Sequence, residues 1–472
     1  MKSVHGALFL TLVGVSIAYL DSKLGVKISV ILFALIGAVL FAFICFLKIK
    51  YAYYVSFILC FTFPIIERRF NIDLPLSLII QVLSFMMVFF ILIKKIVQKD
   101  FSFAFLRNNV TYALLMLMGY NFLQGLNPNM ESYAGWGLVV KGSIGIFAVY
   151  FVVLYLIHED SSFLNQFVKL WILMATIAAL YACYQEWFGL FNFEIGWIRA
   201  DPLRFKRIFI KGAYRKFSLL SDPANFGIFM AASGLMAIPF LLKSISMLKK
   251  LFLLISVGLI IMATGYSGTR TAYAMIPAGL VLFGLMTINK SRTLYLSAAG
   301  VMLIAFVLFG PIHGNPTVHR VRTLINQDDP SLNVRNVNRS NIQSYVNEHP
   351  IGGGLMTTGT GGLKYNPNHE LAGFPPDSGF LQTALETGYI GLFINMLFFF
   401  IGLSSGIKNY YSSNDENTKI LILSLLSFLF AVCVGMYAQA FAGQLPISLV
   451  LYPSMGILAS LSPPRKPKVV AV

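Results

Sequence analysis

Charge is scarce in this 472-residue chain: Asp, Glu, Lys and Arg together make up 12% of it, 57% is hydrophobic, and the mean hydropathy is +0.74. At roughly 150 residues per domain a soluble chain of this length would hold about three domains. So few polar side chains cannot clothe that much surface, so the composition excludes a soluble globule and implies an integral membrane protein. Acidic residues are scarcest, 19 against 36 Lys and Arg, which leaves a net charge of +17. The cations lie in short loops between apolar runs and no nucleic-acid-binding motif accompanies them. A phosphate-rich membrane surface is therefore the expected partner, and nucleic acid is not. The four cysteines, Cys45, Cys60, Cys183 and Cys433, all fall inside apolar runs without CxxC or metal-ligand spacing. That pattern excludes a disulfide framework and reads as small core residues.

Several catalytic signatures are missing as well. There is no GxxxxGK[ST] loop, no GxGxxG after a strand and no HExxH, so ATP-driven transport, dinucleotide redox chemistry and zinc proteolysis have no basis in the sequence. No DxD pair that would hold a metal-bound nucleotide sugar occurs in the polar segments; Asp328-Asp329 flanks Pro330 and reads as a turn. The simpler expectation is a reaction without cofactor or metal on an already activated substrate.

Apolar runs dominate what is present. Candidate spans lie near 5–21, 28–48, 52–66, 75–94, 110–126, 136–157, 166–188, 224–243, 250–266, 271–289, 293–312, 379–404, 418–441 and 445–462. The expected fold is an all-α polytopic membrane protein of about 12–14 transmembrane helices, since a span needs about 20 apolar residues. The first and third runs are short enough to be tilted or re-entrant, and the first reads as a retained anchor. The pairs and clusters Lys48/Lys50, Lys94/Lys95/Lys99/Arg107, Lys243/Lys249/Lys250, Lys290/Arg292, Lys408/Lys419 and Arg465/Lys466/Lys468 fall on one side of this count. Loop cations stay cytoplasmic, so both termini are placed inside. Three regions divide the chain: N-terminal spans over 1–188, a core over 189–404, and C-terminal spans with a short basic cytoplasmic tail over 405–472.

On this topology the segment 189–223, the turn Ser267-Gly268-Thr269-Arg270 and the long segment 313–378 emerge together on the outer face. Two readings fit the basic run from Arg199 to Lys216, which includes Arg207 and Arg215 against only Asp201: an amphipathic stretch on lipid headgroups, or a site for an anion. The segment 313–378 is far longer than the about 12–15 residues usual for a structureless connection, which points to a lid or a site. Within it, 339–348 can form a polar helix ending at His349-Pro350, before the glycines 352–354, 359, 361 and 362. A secondary transporter would place ionisable groups near mid-membrane. The candidates Lys141, Glu186 and Glu386 instead sit near the outer ends of their spans, where Lys141 either snorkels or reaches the outer site.

Four motifs in these outer segments resemble the O-antigen ligase and polymerase family of bacterial envelope glycosyltransferases, over roughly 213–402. Arg215-Lys216-Phe217-Ser218, followed by Pro223 and Ala224-Asn225-Phe226-Gly227, is similar to the family's arginine and "PN" helix entry. Tyr266-Ser267-Gly268-Thr269-Arg270 looks like its "SGSR". Arg335, ahead of His349-Pro350-Ile351-Gly352-Gly353-Gly354, resembles the arginine helix leading to "HPLLGVG". Asp377-Ser378-Gly379-Phe380-Leu381 with Glu386-Thr387-Gly388-Tyr389-Ile390-Gly391 resembles "HNxxL…ExGxxG", with Asp-Ser in place of the frequent His-Asn.

The resemblance implies a GT-C-like enzyme of the bacterial inner membrane whose long periplasmic loop builds the active site. It implies transfer of a glycan from an undecaprenyl-diphosphate carrier to an acceptor, with inversion and without nucleotide or metal. Polymerisation of a polysaccharide is the first reading. Ligation to a lipid core, as in lipopolysaccharide, or to a protein is the alternative, and a lipid-linked saccharide flippase or exporter the more remote one. Departure of a diphosphate needs fixed cations, for which Arg215 and Arg270 come first, joined by Arg335 and Arg339 one turn apart, Arg207 and Lys141. The acceptor hydroxyl needs a base: Asp377 is the first candidate and His369 the alternative. His349 completes the candidate catalytic set, its ring expected to cap the helix end.

Overall fold

The computed structural model describes residues 26–72, 74–210, 212–289, 291–311, 322 and 342–461. Helices account for about three quarters of the described chain. In order they are α1 (Val26–Leu47), α2 (Ile49–Phe70), α3 (Leu76–Val97), α4 (Asn109–Leu123), α5 (Tyr133–Glu159), α6 (Phe163–Trp187) and the short α7 (Asn192–Arg199) and α8 (Pro202–Ile208). A two-stranded hairpin, β1 (Phe209–Ile210) with β2 (Ala213–Tyr214), leads to α9 (Pro223–Ala237), α10 (Met247–Tyr266), α11 (Arg270–Met286) and α12 (Ser291–Phe309). Then come α13 (342–348), α14 (Gly359–Tyr365), α15 (Gly379–Ser412), α16 (Glu416–Ala438) and α17 (Ile447–Ser460). Eight helices are long and apolar enough to cross a membrane among the described residues. Hydrocarbon forces this architecture, because a helix satisfies its own backbone hydrogen bonds where no water can.

Each apolar run from 28 to 462 coincides with one of these helices, and the run 5–21 lies outside the described residues. The third run is not short: α2 extends for 22 residues, through Glu67-Arg68-Arg69. Those charges end the apolar run but not the helix, because Arg68 turns inward, 2% exposed, and donates to the carbonyls of Ser218 (2.8 Å) and Leu220 (3.0 Å).

Ion pairs sort the two ends of the bundle. Lys50 meets Asp160 at 2.8 Å, Lys94 meets Glu159 at 2.8 Å and Lys95 meets Asp100 at 2.6 Å. These pairs tie the α1–α2 junction, the α3–α4 connection and the α5–α6 connection together at one end. The motif-bearing segments gather at the opposite end. Asp160 is held low, to about 2, by its hydrogen bonds from Lys50 and Ser162, and Asp100 is lowered by its bond from Lys95.

The core runs through α2, α6, α9 and α16 as a chain of aromatic contacts: Phe57–Phe167, Phe61–Phe229, Trp171–Phe229 and Trp171–Phe428. Trp171 Nε1 donates to Ser233 Oγ at 2.9 Å, which satisfies the one polar group of that ring. Helix α9 is buried along almost its whole length and rich in Ala, Gly and Ser. Lipid is as apolar as a core side chain, so close packing through small residues, not hydrophobic transfer, holds such helices together.

Candidate active site

The first two sequence motifs meet at one turn. Arg215 reaches from the β-hairpin to the α10–α11 connection, where its Nε donates to Ser267 O (2.9 Å) and its Nη2 to Thr269 Oγ1 (2.9 Å). Thr269 Oγ1 in turn donates to Pro223 O at 3.0 Å, at the first turn of α9. Gly227 faces this knot, and any Cβ there would collide with the Ser267 and Thr269 side chains. Arg270 then opens α11, whose N-cap residue Thr269 makes no side-chain cap hydrogen bond to it. Arg215 is thus a brace, and Arg270 stands half-exposed at the positive end of a helix dipole.

A buried cluster holds the segment 217–220 that follows Arg215. The Arg68 guanidinium lies 3.8 Å from Glu194 and 4.8 Å from the centre of the Phe217 ring. Glu194 accepts from Gln185 (2.8 Å) and Tyr181 (3.0 Å), and Gln185 accepts from the Ser218 amide (2.9 Å). Lys216 pairs with Glu186 at 3.0 Å. Sequence reading singled out neither Arg68 nor Glu194. The available signal was a charge at the edge of an apolar run, which is shared by every span end.

The third and fourth motifs meet at a broken helix. Within α15, Gly388 takes φ 69° and ψ −169°, and the segment Gly352–Gly354, with Gly352 and Gly354 also at positive φ, lies against the break. Gly353 N donates to Leu385 O (2.8 Å), Gly354 N to Glu386 O (3.0 Å) and Tyr389 N to Pro350 O (3.0 Å). The peptide groups freed by the break are thereby satisfied, as membrane depth requires. Glycine is needed on both sides, because a Cβ on Gly352 would meet the Glu386–Gly388 backbone at 2.5 Å and one on Gly388 would collide with the Pro350 carbonyl. Glu386 is 6% exposed and accepts from Thr358 Oγ1 and from Gln382 Nε2 (3.2 Å), which fastens the loop to α15.

His349 ends α13 as expected of a cap: its Nδ1 lies 3.1 Å from Tyr345 O and its ring stacks on Tyr345 at 4.2 Å. His369 faces Gly353 and Tyr345, with Nδ1 accepting from the Leu371 amide at 3.1 Å. Burial lowers its pKa, outweighing the nearby Glu131 and Glu370. An Nδ1 that accepts a hydrogen bond puts the proton of the neutral ring on Nε2. Asp377 sits half-exposed just before Ser378, whose Oγ donates to Met436 O at 3.1 Å and accepts from Leu381 N. The first turn of α15 is therefore anchored to the end of α16. The α9 entry is anchored there too, since Asn225 Nδ2 donates to Leu445 O. The segment 436–445 thus bridges the Arg270 side and the Asp377 side.

Between α3, α5, α15 and that bridge lies a cavity of ≈ 530 Å³, roofed by Leu355 and Met356. The remaining predicted residues lie apart from it. Lys141 is exposed on α5 and does not line the cavity. Arg207 is exposed on α8, its Nε 3.4 Å from Leu203 O and its carbonyl accepting from Arg215. On α7–α8, Trp197, Ile198 and Ile208 are buried against Phe217, while Leu203 is exposed beside Lys206 and Arg207. Arg335 and Arg339 lie outside the described residues, as does Asp328-Asp329. Among the described residues no three His, Cys, Asp or Glu side chains gather as metal ligands would.

Fold and site together define a polytopic all-α membrane protein with one elaborated end, where the α9 entry beside the arginine-bearing turn and the start of the broken helix are both tied to the segment 436–445. Residues 251–396 match the family model described as O-antigen ligase. This match supports an O-antigen ligase-type membrane enzyme. The match contains Arg270, the glycine segment, Asp377 and Glu386, whereas Arg215 precedes it. No curated protein matches the chain.

Proposed function

We propose that this chain is a polysaccharide polymerase that transfers a glycan from an undecaprenyl-diphosphate carrier to an acceptor glycan. The reaction takes place on the periplasmic face of the bacterial inner membrane, with the lysine-rich end of the bundle in the cytoplasm. The observation that carries the reading is Arg270: a guanidinium at the uncapped start of α11, held by the Arg215 brace. A departing diphosphate develops charge, and a fixed guanidinium with helix amides behind it stabilises such charge.

The acceptor hydroxyl attacks the anomeric carbon from the face opposite the diphosphate. The new carbon–oxygen bond forms as the bond to the phosphate oxygen breaks, and the configuration inverts. Asp377 takes the hydroxyl proton, and the carrier leaves as its diphosphate. Arg335 and Arg339 join the cations that hold the donor. His369 is the weaker base, since its Nδ1 already accepts from Leu371 and its other edge faces Gly353. The polymerase assignment over a ligase rests on the span count and on Asp377-Ser378 where the family often has His-Asn.

Purified protein in nanodiscs, given an undecaprenyl-diphosphate oligosaccharide, is expected to yield longer glycans and free carrier diphosphate by mass spectrometry. Growth should be lost in Arg270→Ala and Asp377→Ala. Carrier release only after a separate acceptor is added would make the enzyme a ligase. Carrier-linked glycan crossing the bilayer intact would make it a transporter.

A further inference from the structure

The short helices α7 and α8 sort their side chains onto two faces. Helical spacing puts Leu203, Lys206 and Arg207 on one side of α8 and Arg204, Phe205 and Ile208 on the other. The second side is turned inward: Ile208 is buried with Phe217, and the Arg204 guanidinium lies 4.0 Å from the centre of the Trp197 ring and donates to Trp197 O at 2.6 Å. On α7, Trp197 and Ile198 are buried while Arg199 is exposed. The outward face therefore carries the cations Arg199, Lys206 and Arg207 around Leu203, which is 69% exposed.

The carboxylates nearby are engaged elsewhere. Asp201 caps α8 through the Leu203 and Arg204 amides and lies 3.9 Å from Arg204, Glu186 pairs with Lys216, and Glu194 is buried against Arg68. Among the described residues no carboxylate comes within ion-pair distance of Arg199, Lys206 or Arg207.

This face is held at the level where membrane-length helices end. At the motif-bearing end α2 stops at Phe70 and α6 at Trp187, and Phe70, Trp187 and Phe188 are all exposed there. Aromatic rings at span ends mark the headgroup level. α7 packs on the end of α2, with the Arg69 guanidinium 5.6 Å from the centre of the Phe193 ring. α8 is tied to a third span end, because Arg215 N donates to Ile208 O (2.9 Å) while its Nε donates to Ser267 O (2.9 Å), just past α10.

We infer that the outward face of α7–α8 docks on the phosphates of anionic glycerophospholipids in the leaflet at the motif-bearing end, with Leu203 set among the headgroups. Charge selects the lipid: a zwitterionic headgroup brings its own cation to each phosphate, whereas uncompensated Arg and Lys favour a headgroup without one. An acidic soluble protein could match the charge, but it would have to displace lipid from the exposed rings beside the face. The inference does not depend on the transfer reaction.

The test reads depth and lipid identity at one position. Leu203→Cys, with Cys45, Cys60, Cys183 and Cys433 replaced, carries an NBD fluorophore on the full chain in vesicles of phosphatidylcholine and phosphatidylglycerol in equal amounts. A headgroup-level nitroxide is placed on one lipid or the other, in both leaflets. The phosphatidylglycerol quencher is expected to act at least about twofold more strongly than the phosphatidylcholine one, and the preference should fade in high salt. It should vanish in Arg199→Gln/Lys206→Gln/Arg207→Gln and persist in Lys249→Gln/Lys250→Gln at the opposite end. Melting checks that the triple variant folds, and Lys206→Glu/Arg207→Glu, which should reverse the preference, serves as a second variant. Quenching by neither lipid would put the face in water, open to a soluble partner, and overturn the inference. Equal quenching by both, or a preference that survives in a folded triple variant, overturns it as well. So does a preference abolished by trace sugar-free undecaprenyl phosphate, which would make that lipid the occupant.

Discussion

Arg270 and Arg215 carry the same charge but not the same work. Arg215 directs two donors into Ser267 and Thr269, so it shapes the turn; Arg270 stands at the helix start that the turn presents. Removal of Arg270 should therefore lower kcat about 10²-fold or more, the usual cost of losing a charge-stabilising donor. Arg270→Lys should recover only part, because an ammonium cannot make the planar two-point contact. Arg215→Ala should lower both kcat and thermal stability, and single-turnover carrier release alongside melting separates the two. For the base, Asp377→Asn should cost about 10²–10⁴ in rate, and activity near the unsubstituted level would remove Asp377 from that role. His369 gives a pH signature. Its pKa is lowered by burial, so the unfolded chain takes up the proton first as pH falls. Its contribution is whole above about 6.5 and is lost progressively below it. The melting temperature should fall between pH 7.5 and 5.5, and less so in His369→Gln.

The broken α15 is a device of the element, not of a single side chain. Gly388 holds a left-handed φ that other residues rarely adopt, and its Hα side faces the Pro350 carbonyl. Gly388→Ala should destabilise by about 2 kcal/mol or more and abolish transfer, since Glu386, which fastens the loop to α15, sits beside the break. Gly137 on α5 has no atom within 4 Å of the position its Cβ would take, so Gly137→Ala is the matched control and should leave both unchanged. Thermal melts in detergent with parallel transfer assays decide this. The sequence displayed the glycines of 352–354 but not the conformation that they take. That needed the partner segment, since a glycine-rich stretch is specified by the backbone that it must approach.

Across the whole molecule, the lysine pairs at one end and the motif segments at the other imply opposite exposure of two surface positions. In a background with Cys45, Cys60, Cys183 and Cys433 replaced, Ser161→Cys should react with an impermeant thiol reagent only from the cytoplasmic side and Asn368→Cys only from the periplasmic side. Labelling of both from one side would remove the orientation. Ser161 lies between α5 and α6 beside Asp160, and Asn368 lies in the loop after α14, so each reports one end.

The sequence by itself determined the class and the placement of the apolar helices. Each of these follows from hydropathy and from charge counted along one chain, which need no partner to be read. Span ends were less legible: α2 outlasts its apolar run because Arg68 finds the carbonyls of Ser218 and Leu220, 150 and 152 residues away. Only the tertiary structure decided that Arg215 is a brace, that His369 is turned toward Gly353, and that Glu386 lines a cavity with Gln81, Asn121, Gln382, Asn395 and Gln444. Those side chains come from α3, α4, α15 and the bridge to α17, and what each can still bind depends on which of its atoms another helix has already engaged.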